Sequence, residues 1–221
     1  MPTERNRGAA DILLDPNGEK QIHTIGKKFA ATGTPPDRIF TSDRGRAVQT
    51  ANIIASHTGA KVQVDPDLNP WPMGDLEGKR ASATKPTIDA LRTTHDSSIP
   101  PGLSPYPSLP AESHSQYSDR YLKGLDKIMQ EHEANPYQRD MLVTHGSDIR
   151  TTKAWARAGF PPDHTLDAKT LLQDDSSPGD SELLHQHPDV GWTISKYEPG
   201  SQTPEPYGIY LQRHGETPWN S

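Results

Sequence analysis

Apolar positions along the chain switch repeatedly between two spacings, those of helix and of strand. Ile22, Ile25 and Phe29 share one face of a helix expected over residues 19–32, with Gly33 as its stop. Residues 38–41 read as a short strand after the Pro35-Pro36 breaker. Residues 44–59 return to helix, with Ala47, Ala51, Ile54 and Ala55 on one side, and residues 61–64 read as another strand. Tyr121, Leu125 and Ile128 mark a helix over 117–132, and residues 141–144 are the clearest buried strand. Residues 149–158 are helical up to Gly159, residues 191–197 alternate as an edge strand does, and residues 207–212 form a last apolar strand. This rhythm predicts an α/β fold of three layers, a central and mostly parallel sheet flanked by helices.

Two stretches break the rhythm. Residues 85–112 lose their period among prolines at 100, 101, 105, 107 and 110, and a loop this long often caps a site. Residues 171–188 are polar and ambiguous. Residues 198–206, with three prolines and a glycine, read as a connector inside one domain covering 1–221, with the cap near 85–113.

Apolar residues are 31% of the 221, and prolines number 22, which fits a compact core with long loops. The net charge of −6, without a basic stripe, argues against a nucleic-acid partner but leaves room for a small positive pocket. No run approaches the roughly 18 apolar residues of a membrane span, and residues 1–7 lack an apolar signal core, so a cytoplasmic location is expected. The absence of cysteine excludes disulfides, thiolate catalysis and cysteine metal sites. His185 and His187, with Asp189 close by, lie in what reads as loop, and the sequence places no further ligand with them, so no metal is expected. Nothing in the sequence indicates an oligomeric state.

Three segments share one layout, an apolar strand that runs into a polar or cationic cluster. They are residues 39–46, 142–147 and 209–215. Parallel strands bind ligands at their carboxyl ends, so the layout would bring Arg46, His145, Arg213 and His214 to one pocket. Two guanidiniums and two imidazoles suit a phosphoryl group, since arginine offers forked donors to its oxygens. An imidazole nitrogen facing phosphorus can also attack it.

These residues resemble the histidine phosphatase (phosphoglycerate mutase-like) superfamily. Arg213-His214-Gly215-Glu216-Thr217 is similar to the family signature, which in relatives sits near the N-terminus. Arg7-Gly8 and the stretch from Asp11 to Gly18 resemble the segment that follows it. Residues 41–51 resemble the family's Ser-x-x-x-Arg-Ala-x-Gln-Thr-Ala motif, residues 74–78 and 110–113 two weaker motifs, and residues 143–146 the second-histidine motif. The order implied is a circular permutation, with residues 207–212 as a central strand.

The resemblance implies a phosphatase without metal or organic cofactor, acting on a small phosphate ester or a phosphorylated protein. His214 would be the nucleophile, Arg213, Arg46 and His145 would hold phosphoryl oxygens, and Asn220 would assist. Gly215 would allow close backbone approach, and Trp71 and Trp219 would line the cleft. Many relatives carry an acidic glutamate where this chain has Pro70. Glu112 or Asp148 could supply the proton instead, with Asp75 and Glu77 weaker choices, or no side chain does. A phosphomutase, or a phosphate-binding protein without catalysis, are the alternatives.

Overall fold

Six strands form one sheet in the computed structural model, which describes residues 4–93, 111–173, 177–187, 189, 191–199 and 208–219. In chain order the elements are α1 (Pro16–Ala31), β1 (Arg38–Thr41), α2 (Gly45–Thr58), β2 (Lys61–Val64), α3 (Ala81–Thr93) and α4 (His114–Ala134). They continue with β3 (Asp140–Thr144), α5 (Gly146–Arg157), α6 (Ala168–Leu171), β4 (Ser181–His187), β5 (Gly191–Tyr197) and β6 (Gly208–Arg213). Across the sheet the order is β2-β1-β3-β6-β4-β5. The first four run parallel, and β4 is antiparallel to both β6 and β5. The sheet is mostly parallel as expected, and it is extended on one side by an antiparallel pair.

Alternation along the central strands divides the core into two layers. Ile39, Met141, Val143 and Tyr210 pack with Ile22, Phe29, Ala51 and Ile54 of α1 and α2. Their neighbours Phe40, Leu142, Ile209 and Leu211 point to the other face and meet Tyr121, Leu125, Ile128 and Trp155 of α4 and α5. Both faces of β3 and β6 are covered, so every residue in them is buried and their middles read as unbroken apolar runs.

Caps explain where the helices begin. Asp15 accepts from the Gly18 N–H at 2.7 Å and Pro16 takes the first helical position, so α1 starts ahead of the periodic residues. A reciprocal pair between Ser113 and Gln116 starts α4 earlier than expected in the same way. Gly59, at φ 76°, closes α2 in the left-handed conformation that glycine adopts without cost.

Two expectations need correction. Residues 85–93, expected as irregular, belong to α3, which continues through Pro86. The missing N–H removes one bond to the preceding turn, the ring lies on the exposed face, and Thr84 and Ile88 still bury the inner face. Residues 94–110 of the expected cap lie outside the described residues, as do 200–207 of the connector and last strand. The polar stretch near 181–187, which includes His185 and His187, is β4 rather than loop. Its polar inner groups are paired, with the Ser181 hydroxyl donating to Gln212 at 2.6 Å and Glu182 accepting from Lys153 at 2.6 Å. His185 Nε2 is 2.9 Å from the Thr193 hydroxyl, and the described residues contain no grouping of three or more metal-ligating side chains. No helix among them is long and apolar enough to cross a membrane.

Register brings three strand ends to one rim. Thr41 lies opposite Val143, and Thr144 lies opposite Arg213. Because β1, β3 and β6 are parallel, the residues that follow them, Ser42, His145 and His214, leave the sheet on the same side.

Candidate active site

A cavity of about 370 Å³ opens at that rim. Arg46, His145, Arg213 and His214 all line it, so the four residues from three separated segments do converge. The imidazole centroids of His145 and His214 are 5.2 Å apart, and both rings are buried.

Backbone contacts fix His214. Its N–H donates to the Thr144 carbonyl at 3.1 Å, tying the residue to the end of β3. Its Nδ1 lies 2.7 Å from the Gly215 carbonyl oxygen, which can only accept. Nδ1 therefore carries the proton and Nε2 keeps its lone pair. His145 Nε2 lies 2.8 Å from the Ser42 hydroxyl at the end of β1.

Arg46 enters from the first turn of α2. Its guanidinium donates to the carbonyls of Ala10 at 2.6 Å and Gly8 at 2.9 Å, which sets its plane. Burial, then the neighbouring Arg7, push it down to about 9, so it stays cationic at neutral pH. Arg213 lies over the start of α5, where a Cβ on Gly146 would come within 3.1 Å of its Cζ. Glycine there lets the guanidinium settle against the backbone.

Burial, followed by the Arg46 charge, holds both imidazoles well below the usual histidine range. The sign of the resulting pH dependence follows directly. The unfolded chain binds protons that the folded one refuses, so this stability is complete above about pH 6.5 and declines as pH falls below it. Each such imidazole contributes up to about 1.4 kcal/mol per pH unit below that point. Glu77 and Asp148, whose carboxyls are raised by burial, act in the opposite sense. Comparing variants cancels them. His214→Asn should show a shallower loss of unfolding free energy between pH 7 and 5 than the parent in urea titrations. Equal slopes would contradict this assignment.

Several expected site residues stand elsewhere. Glu112 does not line the cavity; both its oxygens accept from Arg120, at 3.0 and 2.7 Å. Asp148 is buried at the start of α5, accepting from Tyr117 at 2.7 Å, Thr144 at 2.8 Å, Ser147 at 3.0 Å and the His145 N–H at 3.2 Å. It braces the helix start and is not among the residues that line the cavity. Gly215 is needed for packing, since a Cβ there would lie 2.8 Å from Ile22 and 2.9 Å from the Gly18 carbonyl. Trp219 is partly exposed and outside the cavity lining, with its carbonyl accepting from the Arg5 N–H at 3.2 Å. Trp71 does line the wall, its Nε1–H donating to the Glu112 carbonyl at 2.9 Å. Asn220 lies outside the described residues.

Pro70 lines the cavity, so the position where the resemblance implies an acid carries no titratable group. The carboxylates that do reach the cavity among the described residues are Glu4 and Asp89. Asp89 is ion-paired with Lys85 at 2.5 Å and Arg92 at 3.6 Å. Arg7, Arg92 and Arg150 were not anticipated as site residues, yet all line the cavity. The Arg7-Gly8 dipeptide was the available signal for the first. Arg92 stands in the stretch that reads as irregular and Arg150 in a helix without a site motif, and neither carried one.

The model for the histidine phosphatase superfamily (branch 1) matches residues 2–171, which leaves 213–217 outside the match. The probable phosphoglycerate mutase GpmB of Yersinia enterocolitica is 31% identical over 161 residues, covering 71% of this chain and 68% of that protein. Its counterpart in Cronobacter sakazakii is 31% identical over 142 residues, covering 64% of this chain and 62% of that one. Among solved structures, a mycobacterial glucosyl-3-phosphoglycerate phosphatase in complex with VO3 superposes with a TM-score of 0.63 at 22% identity, covering 88% of this chain and 90% of its own. The alpha-ribazole phosphatase from Shigella flexneri gives 0.64 at 17% identity, covering 91% and 92%. These last two share the fold. With the family match spanning most of its length, the chain belongs to the histidine phosphatase superfamily, branch 1.

Proposed function

We propose that the chain is a phosphohydrolase that forms a phosphohistidine on His214. The observation that carries this reading is the Nδ1 contact to the Gly215 carbonyl, which leaves the Nε2 lone pair free in a cavity rimmed by arginine. In the first step the Nε2 lone pair forms a bond to phosphorus, and the bond from phosphorus to the leaving oxygen breaks with its electrons going to that oxygen. Arg46, Arg213 and His145 hold the equatorial oxygens while charge shifts among them. In the second step water attacks phosphorus, the N–P bond breaks, and inorganic phosphate leaves with the imidazole restored. No metal or organic cofactor has a part in this scheme. The relatives, a probable phosphoglycerate mutase, a glucosyl-3-phosphoglycerate phosphatase and an alpha-ribazole phosphatase, support a small phosphomonoester as substrate. A phosphorylated protein remains within the same chemistry.

We also read the chain as circularly permuted. The family match beginning at residue 2, with Arg213-His214-Gly215 beyond its end, supports that reading. So does the bond between Arg5 and Trp219, which puts the start and finish of the described chain side by side.

The leaving group tests the scheme. General acid catalysis is typically worth ~10²–10⁴-fold, most for poor leaving groups. With Pro70 on the wall and Asp89 ion-paired, turnover should favour aryl phosphates or protonated phosphoramidates over alkyl phosphates. A steep negative dependence of log kcat/KM on leaving-group pKa, unchanged in Glu112→Gln and Asp148→Asn, is expected. A flat dependence that steepens in one variant would identify that carboxylate as the acid. Phosphate release without added bisphosphate would separate a hydrolase from a mutase. The acid-poor wall also favours one second reading, a phosphate-binding protein without turnover, and no release from any ester would establish it.

A further inference from the structure

Glu77 is 4% exposed, lies outside the cavity lining, and has no part in the phosphoryl transfer just described. Its Oε1 accepts from two backbone N–H groups, those of Ala9 and Met73, each at 2.9 Å. Met73 lines the cavity beside Trp71, and Ala9 follows Arg7 and Gly8, which line it too. One carboxylate oxygen therefore ties together two parts of the cavity wall that are far apart in sequence.

The strap it holds is also the seat of the arginines. The carbonyls of Gly8 and Ala10 accept from Arg46 at 2.9 and 2.6 Å, and the carbonyl of Ala9 accepts from Arg44 at 2.9 Å. All three strap carbonyls thus face guanidiniums, while the N–H in the middle is held by Glu77. The fit is close, since a Cβ on Gly8, at φ +43°, would lie 2.3 Å from Glu77 Oε1. Oε2 is buried without a hydrogen-bond partner among the described residues. Burying a carboxyl that is bonded through one oxygen is costly, and the two N–H contacts on Oε1 are what offset that cost here.

We propose that Glu77 is a positioning residue for Arg46: it fixes the Gly8–Ala10 strap, whose carbonyls aim the guanidinium at the phosphoryl group. The proposal rests on the hydrolase reading for its kinetic consequence but not for its structural one. A displacement of about 1 Å at a catalytic group commonly costs on the order of 10²-fold in rate.

A double-mutant cycle between Glu77→Met and Arg46→Lys tests it, with kcat and KM measured on p-nitrophenyl phosphate. Glu77→Met should melt cooperatively and lose roughly 10²-fold in kcat/KM, while in the Arg46→Lys background the same change should cost less than about 3-fold. Glu77→Gln, which keeps an oxygen for both N–H groups, should recover most of the rate. Equal losses in both backgrounds, or a parental rate in Glu77→Met, would overturn the proposal. If Glu77→Met does not melt cooperatively, Glu77→Asp replaces it, being too short to reach both donors, and the same two outcomes decide. The rise in melting temperature produced by inorganic phosphate gives a readout without turnover. It should shrink in the Glu77 variant of the parent and stay unchanged by that variant in the Arg46→Lys background. If even the parent turns over no ester, the hydrolase reading fails, and this phosphate effect still decides the role of Glu77.

Discussion

Removing residues 208–221 should leave a chain without a cooperative thermal transition, and placing the same residues ahead of residue 1 through a short linker should restore one. β6 lies between β3 and β4, so its loss breaks both ladders and leaves the β4–β5 pair without its link to the sheet. Ile209, Tyr210 and Leu211 are at most 2% exposed. Their burial stabilises by about 1.5–3 kcal/mol each, against a typical total of about 5–15 kcal/mol. The contact between Arg5 and Trp219 means the relocated strand can return to its place without a long span. Melts followed by circular dichroism are sufficient. A deleted chain that melts near the parental temperature would show the strand to be dispensable. A relocated chain that never melts cooperatively would count against the permuted reading.

His214→Ala should lower turnover by roughly 10⁴-fold or more and abolish the phosphoenzyme, because the imidazole supplies the bond that forms first. Phosphate binding should survive better than catalysis, since Arg46 and Arg213 still line the cavity. Inorganic phosphate should therefore still raise the melting temperature of the variant. Arg46→Lys should lose roughly 10²-fold in kcat, as an ammonium cannot replace a guanidinium seated on two carbonyls. Mass spectrometry of rapidly quenched protein, kept at alkaline pH, would locate the phosphoryl group. Finding it on another residue, or a parental rate in His214→Ala, would remove His214 from the role.

Much of the fold is readable in the sequence because its central strands bury both faces. β1 and β3 show as short apolar runs, the exposed edge strand β2 shows only by its two valines, and α1 and α2 show their inner faces at helical spacing. The convergence of Arg46, His145, Arg213 and His214 is readable for a related reason: each stands just beyond such a run or at the following helix start. β4 hides because its buried Glu182 and Ser181 are satisfied by partners, Lys153 and Gln212, that sequence spacing does not reveal. α3 hides because one proline obscures a helix that tertiary packing of Thr84 and Ile88 maintains. The roles expected of Glu112 and Asp148 depended on where a carboxylate points, and that is decided by Arg120 in one case and by four donors around α5 in the other. Glu77 is the reverse case. Its local sequence reads as a turn, and its contacts to Ala9 and Met73 exist only once the strap has folded over it.

The place of β6 in the sheet also bears on how the chain reaches its folded state. Among the described residues β6 follows the other strands in chain order, yet it is flanked on both sides. Until it is synthesised, β3 and β4 each present an open edge of unpaired N–H and carbonyl groups, which invites pairing with another chain. β3 must then close onto β6 across more than sixty residues, and pairings of such separation form slowly. The nascent chain thus passes through a stage in which two helix-covered parts exist without the strand that joins them. Crowded translation or overexpression should lengthen exposure of those edges, so aggregation during folding can limit yield even though the finished sheet is secure.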